Sequence, residues 1–247
     1  MNIAVFADMH GNCVGLDAVL TDIKGREVDS MICLGDAVQG GSQPKQVVER
    51  LKETSCPVIL GNSDSFILTG VAGEGAVETV SPALLEVRDW TKEQLGEEGL
   101  AFLESLPLTH ETLLEDGSSL QSFHGSPRSF NEVLLPEMKD DELGSAFETT
   151  SSTLLAGGHT HLQWFRRFGE RTFFNPGSAG VAYNRYCDPE TFYFYPIAQY
   201  AIVYSTQEQT HVEFCQVPFD VDALEVAAKK SGRPYSEAEA ARYRPPS

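Results

Sequence analysis

No stretch of the 247-residue chain approaches the roughly 20 consecutive apolar residues of a membrane span. The opening MNIAVFAD has no basic residue ahead of its apolar run and meets an acid at Asp8, so it reads as a first strand and not a signal peptide. Cysteine is sparse. Cys13, Cys33, Cys56, Cys187 and Cys215 are odd in number, never form CxxC, and read as buried thiols in a reducing compartment, with the cytoplasm as the default location. Basic residues are also scarce: 18 Lys plus Arg face 36 Asp plus Glu, a net charge of −18. Such a chain repels duplex nucleic acid and anionic membranes at long range, so no stable partner of either kind is expected. A phosphate remains bindable where a metal ion supplies the positive charge locally. With 41% hydrophobic and 22% charged residues, disorder, collagen and coiled coil are disfavoured. The length fits one enlarged α/β domain or two small ones.

Along the chain, short apolar runs at Asn2–Ala7, Ser30–Leu34 and Pro57–Leu60 read as strands. Between them, Leu16, Val19, Leu20 and Ile23 mark one helix closed by Gly25, and Pro44 opens a second carrying Val47, Val48 and Leu51. This alternation predicts parallel pairing with crossover helices. Gly70–Gly75 is a glycine-containing link. Pro82–Leu106 reads as one or two helices, and residues 64–106 are a candidate helical cap, with Trp90 and Phe102 as lining or as ordinary packing. A hairpin is expected around Asp116-Gly117, an acidic helix over Glu137–Phe147 and a strand over Thr153–Ala156. Antiparallel strands then follow at Gln163–Phe168, Arg171–Phe174, Tyr200–Tyr204 and His211–Val217, and a helix from Val221 to Lys230. The expected organisation is one domain over residues 1–231 and a flexible tail over 232–247.

Five segments place a metal-competent side chain at or just after the end of a strand. They are Asp8-Met9-His10-Gly11-Asn12, Gly35-Asp36, Gly61-Asn62-Ser63-Asp64, His124-Gly125 and Gly158-His159-Thr160-His161. Taken singly, each has an ordinary reading as a solvated loop, a turn or a helix cap. Their joint occurrence decides, because four of the six histidines fall in these segments. His110 and His211 lie in strand-like contexts and read as structural. Imidazole, carboxylate and amide ligands together suit Mn, Fe or Zn better than Ca or Mg. Seven candidate ligands exceed one four-coordinate zinc and suit two metals sharing a carboxylate.

In this order the segments resemble the calcineurin-like metallophosphoesterase superfamily, whose pattern is D-x-H, G-D, G-N-x-[D/E], H and G-H-x-H. The likeness runs from Asp8 to His161, and Asn175-Pro176-Gly177-Ser178 resembles the loop that follows in small bacterial and archaeal members. It implies an α/β fold, a four-layer α-β-β-α sandwich with a dinuclear site at the strand ends. The first metal would take Asp8, His10 and His161, the second Asn62, His124 and His159, and Asp36 would bridge them. The implied cofactors are two divalent transition metals, with Mn²⁺ favoured and Fe, Zn or Ni as alternatives. The implied nucleophile is a metal-bound hydroxide. Many members carry a histidine, thought to protonate the leaving oxygen, where this chain has Ser63. That departure favours a phosphodiesterase; Ser63 would otherwise only cap the next helix. The alternatives are a phosphomonoesterase or phosphoprotein phosphatase, and a catalytically silent scaffold. Asn12 and Arg128 are candidate contacts to a small-molecule or nucleotide phosphate ester.

Overall fold

The computed structural model describes residues 1–73, 80–186, 188 and 191–245. Glu74 and Gly75 of the expected link, Cys187 and the last two residues of the expected tail lie outside the described residues. The first third comprises β1 (Asn2–Phe6), α1 (Cys13–Lys24), β2 (Ser30–Cys33), α2 (Pro44–Thr54), α3 (Asn62–Thr69) and α4 (Pro82–Glu104). The middle holds β3 (Thr109–Leu113), β4 (Ser119–Phe123), α5 (Asp140–Ser145), β5 (Leu154–Ala156), β6 (Gln163–Phe168) and β7 (Arg171–Pro176). The last part adds β8 (Ile197–Ser205), β9 (Thr210–Pro218), α6 (Val221–Ser231) and α7 (Ser236–Ala241).

The strands form two sheets, ordered β2-β1-β8-β9 and β3-β4-β5-β7-β6. Strand side chains alternate between faces, and β1 shows the result. Ile3 and Val5 join Leu120, Leu154, Phe174 and Val203 in the layer between the sheets. Ala4 and Phe6 face the opposite layer, against Leu16 and Val19 of α1 and Val47 and Leu51 of α2. On the outer face of the second sheet, Phe123, Leu155 and Phe173 pack with Leu143 of α5 and the fully buried Phe147. The layers are therefore helix, sheet, sheet, helix. β1–β2, β4–β5 and β5–β7 are parallel. β6–β7 and β8–β9 are antiparallel, as expected of the second half.

Two expectations change, and one that stood open, one or two helices over Pro82–Leu106, resolves to two. The strand expected at Pro57–Leu60 reduces to a bridge between Cys33 and Val58. Pro57 has no amide to donate, and the Leu60 amide leaves the sheet to reach the Pro107 carbonyl. Residues 82–104 are two helical pieces joined at Gly96, whose φ of 59° no ordinary helical residue adopts. Phe102 packs on the helix-side core with Lys52 5.6 Å above its ring, so it is a packing residue, and Trp90 is half-buried on α4.

The second change is the C-terminal segment, which is docked. Tyr243 is 4% exposed, stacks near Phe194 and Phe219, and donates its hydroxyl to the Gly180 carbonyl at 2.7 Å. Phe194 donates its amide to the Arg242 carbonyl. Tyr243→Ala is expected to cost about 3–5 kcal/mol in urea unfolding, as for other large buried side chains. A loss below about 1 kcal/mol would show that the segment detaches freely. Among the described residues, no helix is long and apolar enough to cross a membrane.

Candidate metal centre

The carboxyl ends of β1, β2, β4 and β5 meet at one end of the two sheets. Asp8 follows β1, Asp36 follows β2, His124 follows β4, and His159 and His161 follow β5. Asn62 is the first residue of α3. Loops leaving parallel strands at their carboxyl ends are where sites gather in α/β sheets. Here main-chain bonds join them: Asp8 N–H to the Gly35 carbonyl, His10 N–H to Asp36, and Gly158 N–H to His124. The Ser178 hydroxyl donates to the Asp8 carbonyl at 2.7 Å, and the Asn175 amide donates to Gly158, so the Asn-Pro-Gly-Ser loop supports the first and last segments together.

The backbone is bent sharply at the candidate ligands. Among the described residues seven non-glycine residues have positive φ, and five of them are Asp8, His10, Asp36, His159 and His161, with φ between 47° and 69°. Left-handed backbone is uncommon for such residues and persists only where surrounding structure imposes it, most often at functional sites. Neighbouring glycines leave the room. A Cβ on Gly61 would lie 2.0 Å from Asp36 Oδ1, and one on Gly180 would lie 2.0 Å from the Met9 carbonyl oxygen.

The result is two adjoining clusters: Asp8, His10 and His161 in one, Asp36, His124 and His159 in the other, each with ligand atoms within 4.8 Å. Asp36 faces both, with Oδ2 3.5 Å from His10 Nε2 and Oδ1 3.4 Å from His124 Nε2. Asn62 Oδ1 lies 2.9 Å from His124 Nε2. The His124 and His159 rings are 5.2 Å apart, and those of His10 and His161 4.8 Å. Three imidazoles donate Nδ1–H to a backbone carbonyl at 2.8 Å: His10 to Gln39, His124 to Leu34 and His161 to Val181. That arrangement leaves Nε2 to face the cluster and sets the tautomer a metal needs. Asp8 is fully buried, and its Oδ1 has no hydrogen-bond partner among the described residues. An orphaned carboxylate oxygen facing the imidazoles of His10 and His161 is costly without a cation, so the donor set fits a divalent ion.

The electrostatics are strained in opposite directions. Burial, reinforced by nearby positive groups, pushes the His161 imidazole down to about 3 and His159 down to about 4, so both are neutral donors at pH 7. Burial alone would lower His124 too, but the Asp36 and Asp8 carboxylates raise it to about 9. Burial lifts Asp8 to about 7. Burial also works to raise Asp36, yet His124, His10 and Ser63 together hold it well below the usual carboxylate range. Opposed shifts packed into one place mark functional sites more often than structural ion pairs.

A family model described as the calcineurin-like phosphoesterase superfamily domain matches residues 1–197. The chain belongs to that superfamily. A metallophosphoesterase of Sphaerobacter thermophilus is 27% identical, with 98% of each chain covered and a TM-score of 0.74. A hypothetical protein of Pyrococcus horikoshii shares the fold at a TM-score of 0.79 and 22% identity, again over 98% of each chain. An uncharacterized protein of Methanocaldococcus jannaschii is 33% identical over 162 residues, 65% of this chain. The match spans 62% of that relative, less than two thirds of its length.

Within this phosphoesterase fold, Asn12, Arg128 and Ser63 take roles other than those expected. Asn12 is 1% exposed; its Oδ1 caps α1 by accepting from Gly15 N–H and its amide donates to the Gly180 carbonyl, so it is committed to the scaffold. Arg128 is turned to Glu132 and to the Ser145 carbonyl. Ser63 does not cap α3, whose N-cap is Gly61. Its hydroxyl and amide both donate to Asp36, at 2.7 and 2.8 Å. His110 and His211 stand on β3 and β9, as read, and His211 stacks on Tyr204.

Sequence reading missed the task of Asp64. It is fully buried and accepts from the amides of Ala37, Val38 and Gly61, which fixes the loop that carries Asp36. Its place in the Gly-Asn-Ser-Asp segment was the available signal. The carbonyls that orient the imidazoles carry no sequence signal at all.

Proposed function

We propose that this chain is a dinuclear metal-dependent phosphoesterase that hydrolyses phosphodiesters. The observation that carries the reading is the pair of ligand clusters with Asp36 facing both. Asp8, His10 and His161 would hold one ion, Asn62, His124 and His159 the other, with Asp36 shared. Divalent ions held there would supply Lewis acidity toward the phosphate and a nucleophile from water at neutral pH. The chain's own part is positioning. Backbone carbonyls of Gln39, Leu34 and Val181 aim three imidazoles. Ser63 and Asp64 hold the Asp36 loop.

Preference for diesters is what the resemblance to members without a histidine at the position of Ser63 implies. The Ser63 hydroxyl is spent on Asp36 and titrates far too high to act as a general acid near neutral pH. A nitrogen-rich ligand set favours first-row transition ions, and manganese is proposed as the working ion. The buried free thiols of Cys13, Cys33 and Cys215 fit a reducing compartment, for which the cytoplasm is proposed.

The test is turnover of bis(4-nitrophenyl) phosphate and 4-nitrophenyl phosphate by chelator-stripped protein reloaded with Mn²⁺ or Ca²⁺. Diester turnover restored by Mn²⁺ and not by Ca²⁺ is expected. Preferential monoester turnover would point to a phosphatase. No turnover with any ion would point to a scaffold.

A further inference from the structure

The chain's strong negative charge raises a question that the ligand clusters leave open: what receives the phosphate of an anionic ester beside so many carboxylates. Arginine is the side chain best matched to a phosphate, because its planar fork donates two parallel charge-assisted hydrogen bonds. Seven of the eleven arginines are already in ion pairs with carboxylates. Arg171 donates to the carbonyls of Phe147 and Thr150, and Arg242 lies over the rings of Phe192 and Phe194. Arg167 stands on β6, the outer edge of the second sheet and away from the strand ends. Arg185 remains. It is exposed and makes no ion pair or hydrogen bond among the described residues.

Its position is set from both sides. Upstream, the Val181 carbonyl accepts from His161 Nδ1, the Ala182 carbonyl accepts from Tyr195 N–H, and the Tyr183 ring meets the His161 ring edge-on at 5.4 Å. Tyr183 is further fixed by a bridge to Phe194 and by the Phe192 ring at 5.3 Å. Downstream, Tyr186 donates its hydroxyl to Glu137, and its amide closes a turn on the Asn184 side chain. Arg185 is thus carried on a short pinned segment that leaves the metal centre at His161.

We propose that Arg185 is a substrate-binding residue, its guanidinium taking a non-bridging oxygen of the ester phosphate at the mouth of the metal centre. The inference rests on the phosphoesterase reading above and names a substrate contact within it. It replaces Arg128, which Glu132 holds elsewhere. Among the described residues the side chain has no carboxylate partner, which leaves it available to a phosphate.

The experiment compares wild type, Arg185→Ala and Arg185→Lys, each loaded with Mn²⁺ and with metal content measured. Two readouts are taken: kcat/KM for bis(4-nitrophenyl) phosphate, and calorimetric affinity for inorganic phosphate. Arg185→Ala is expected to lower both by roughly 10- to 100-fold, the cost of losing hydrogen bonds to a charged group. Metal content should be unchanged, and Arg185→Lys should recover part of the loss. Unchanged kcat/KM and unchanged phosphate affinity in Arg185→Ala would overturn the proposal while the wild type still turned over. If the wild type hydrolysed no ester, the enzymatic reading would fail. The phosphate arm would still decide on Arg185, by a loss of affinity in the alanine variant or by its absence.

Discussion

Asp36→Asn is expected to abolish turnover and to weaken metal binding in both clusters. The two carboxylate oxygens face opposite ways, one toward His10 and one toward His124, and Ser63 fixes their orientation. The asparagine side chain keeps the shape, replaces one oxygen by an amide nitrogen that cannot ligate, and removes the negative charge that two adjacent dications would share. Losing a hydrogen-bonding partner of a metal ligand typically costs 10- to 100-fold. Losing a shared ligand should cost more, on the order of 10³-fold or beyond in kcat/KM. Metal content after dialysis and kcat/KM together check this. Retention of two ions per chain with turnover within tenfold of wild type would remove Asp36 from its proposed place. The fold itself should survive, because the amides of the Asp36 loop bond to Asp64 and not to the Asp36 side chain.

A steep dependence on the leaving group is the second large effect expected. With Ser63 committed to Asp36, the departing oxygen leaves largely as an anion or takes a proton from water. Aryl esters should therefore be hydrolysed far faster than alkyl esters. Ser63→His offers an imidazole and should help alkyl esters most, by no more than the roughly 10²–10⁴-fold of a positioned general acid. The same change deletes the 2.7 Å hydrogen bond to Asp36, so Ser63→Ala is the necessary companion. It isolates the loss of positioning from the gain of an acid. The comparison belongs on kcat/KM, which reports transition-state stabilisation. A flat dependence with chemistry rate-limiting would mean that another group supplies the proton. Asp64 is poorly placed for that task, since its carboxylate accepts from three backbone amides.

The layering and the gathering of the candidate ligands at one end of the sheets were legible because both leave local marks. The unbroken apolar run of β1 encodes two buried faces, and glycine beside each candidate ligand marks where the backbone must turn or pass closely. What could not be read depends on contacts between distant segments. Asn12 stands one residue beyond a ligand motif and looks like a phosphate donor, yet it caps α1 and holds Gly180. Arg128 is near His124 in sequence, but Glu132 four residues on captures it. Arg185 lies outside the five ligand segments, and only the packing of Tyr183 on His161 brings its stretch of chain beside the centre. The C-terminal segment offers too few apolar residues for a periodic pattern, and a single tyrosine, Tyr243, anchors it.

Two ions sharing the Asp36 carboxylate is the arrangement proposed for the two clusters. Anomalous diffraction at the manganese edge from Mn²⁺-loaded crystals tests it most directly. Two peaks roughly 3.5–4 Å apart are expected, one among Asp8, His10 and His161, the other among Asn62, His124 and His159, with Asp36 in contact with both. A single peak, or two peaks without Asp36 between them, would contradict that arrangement.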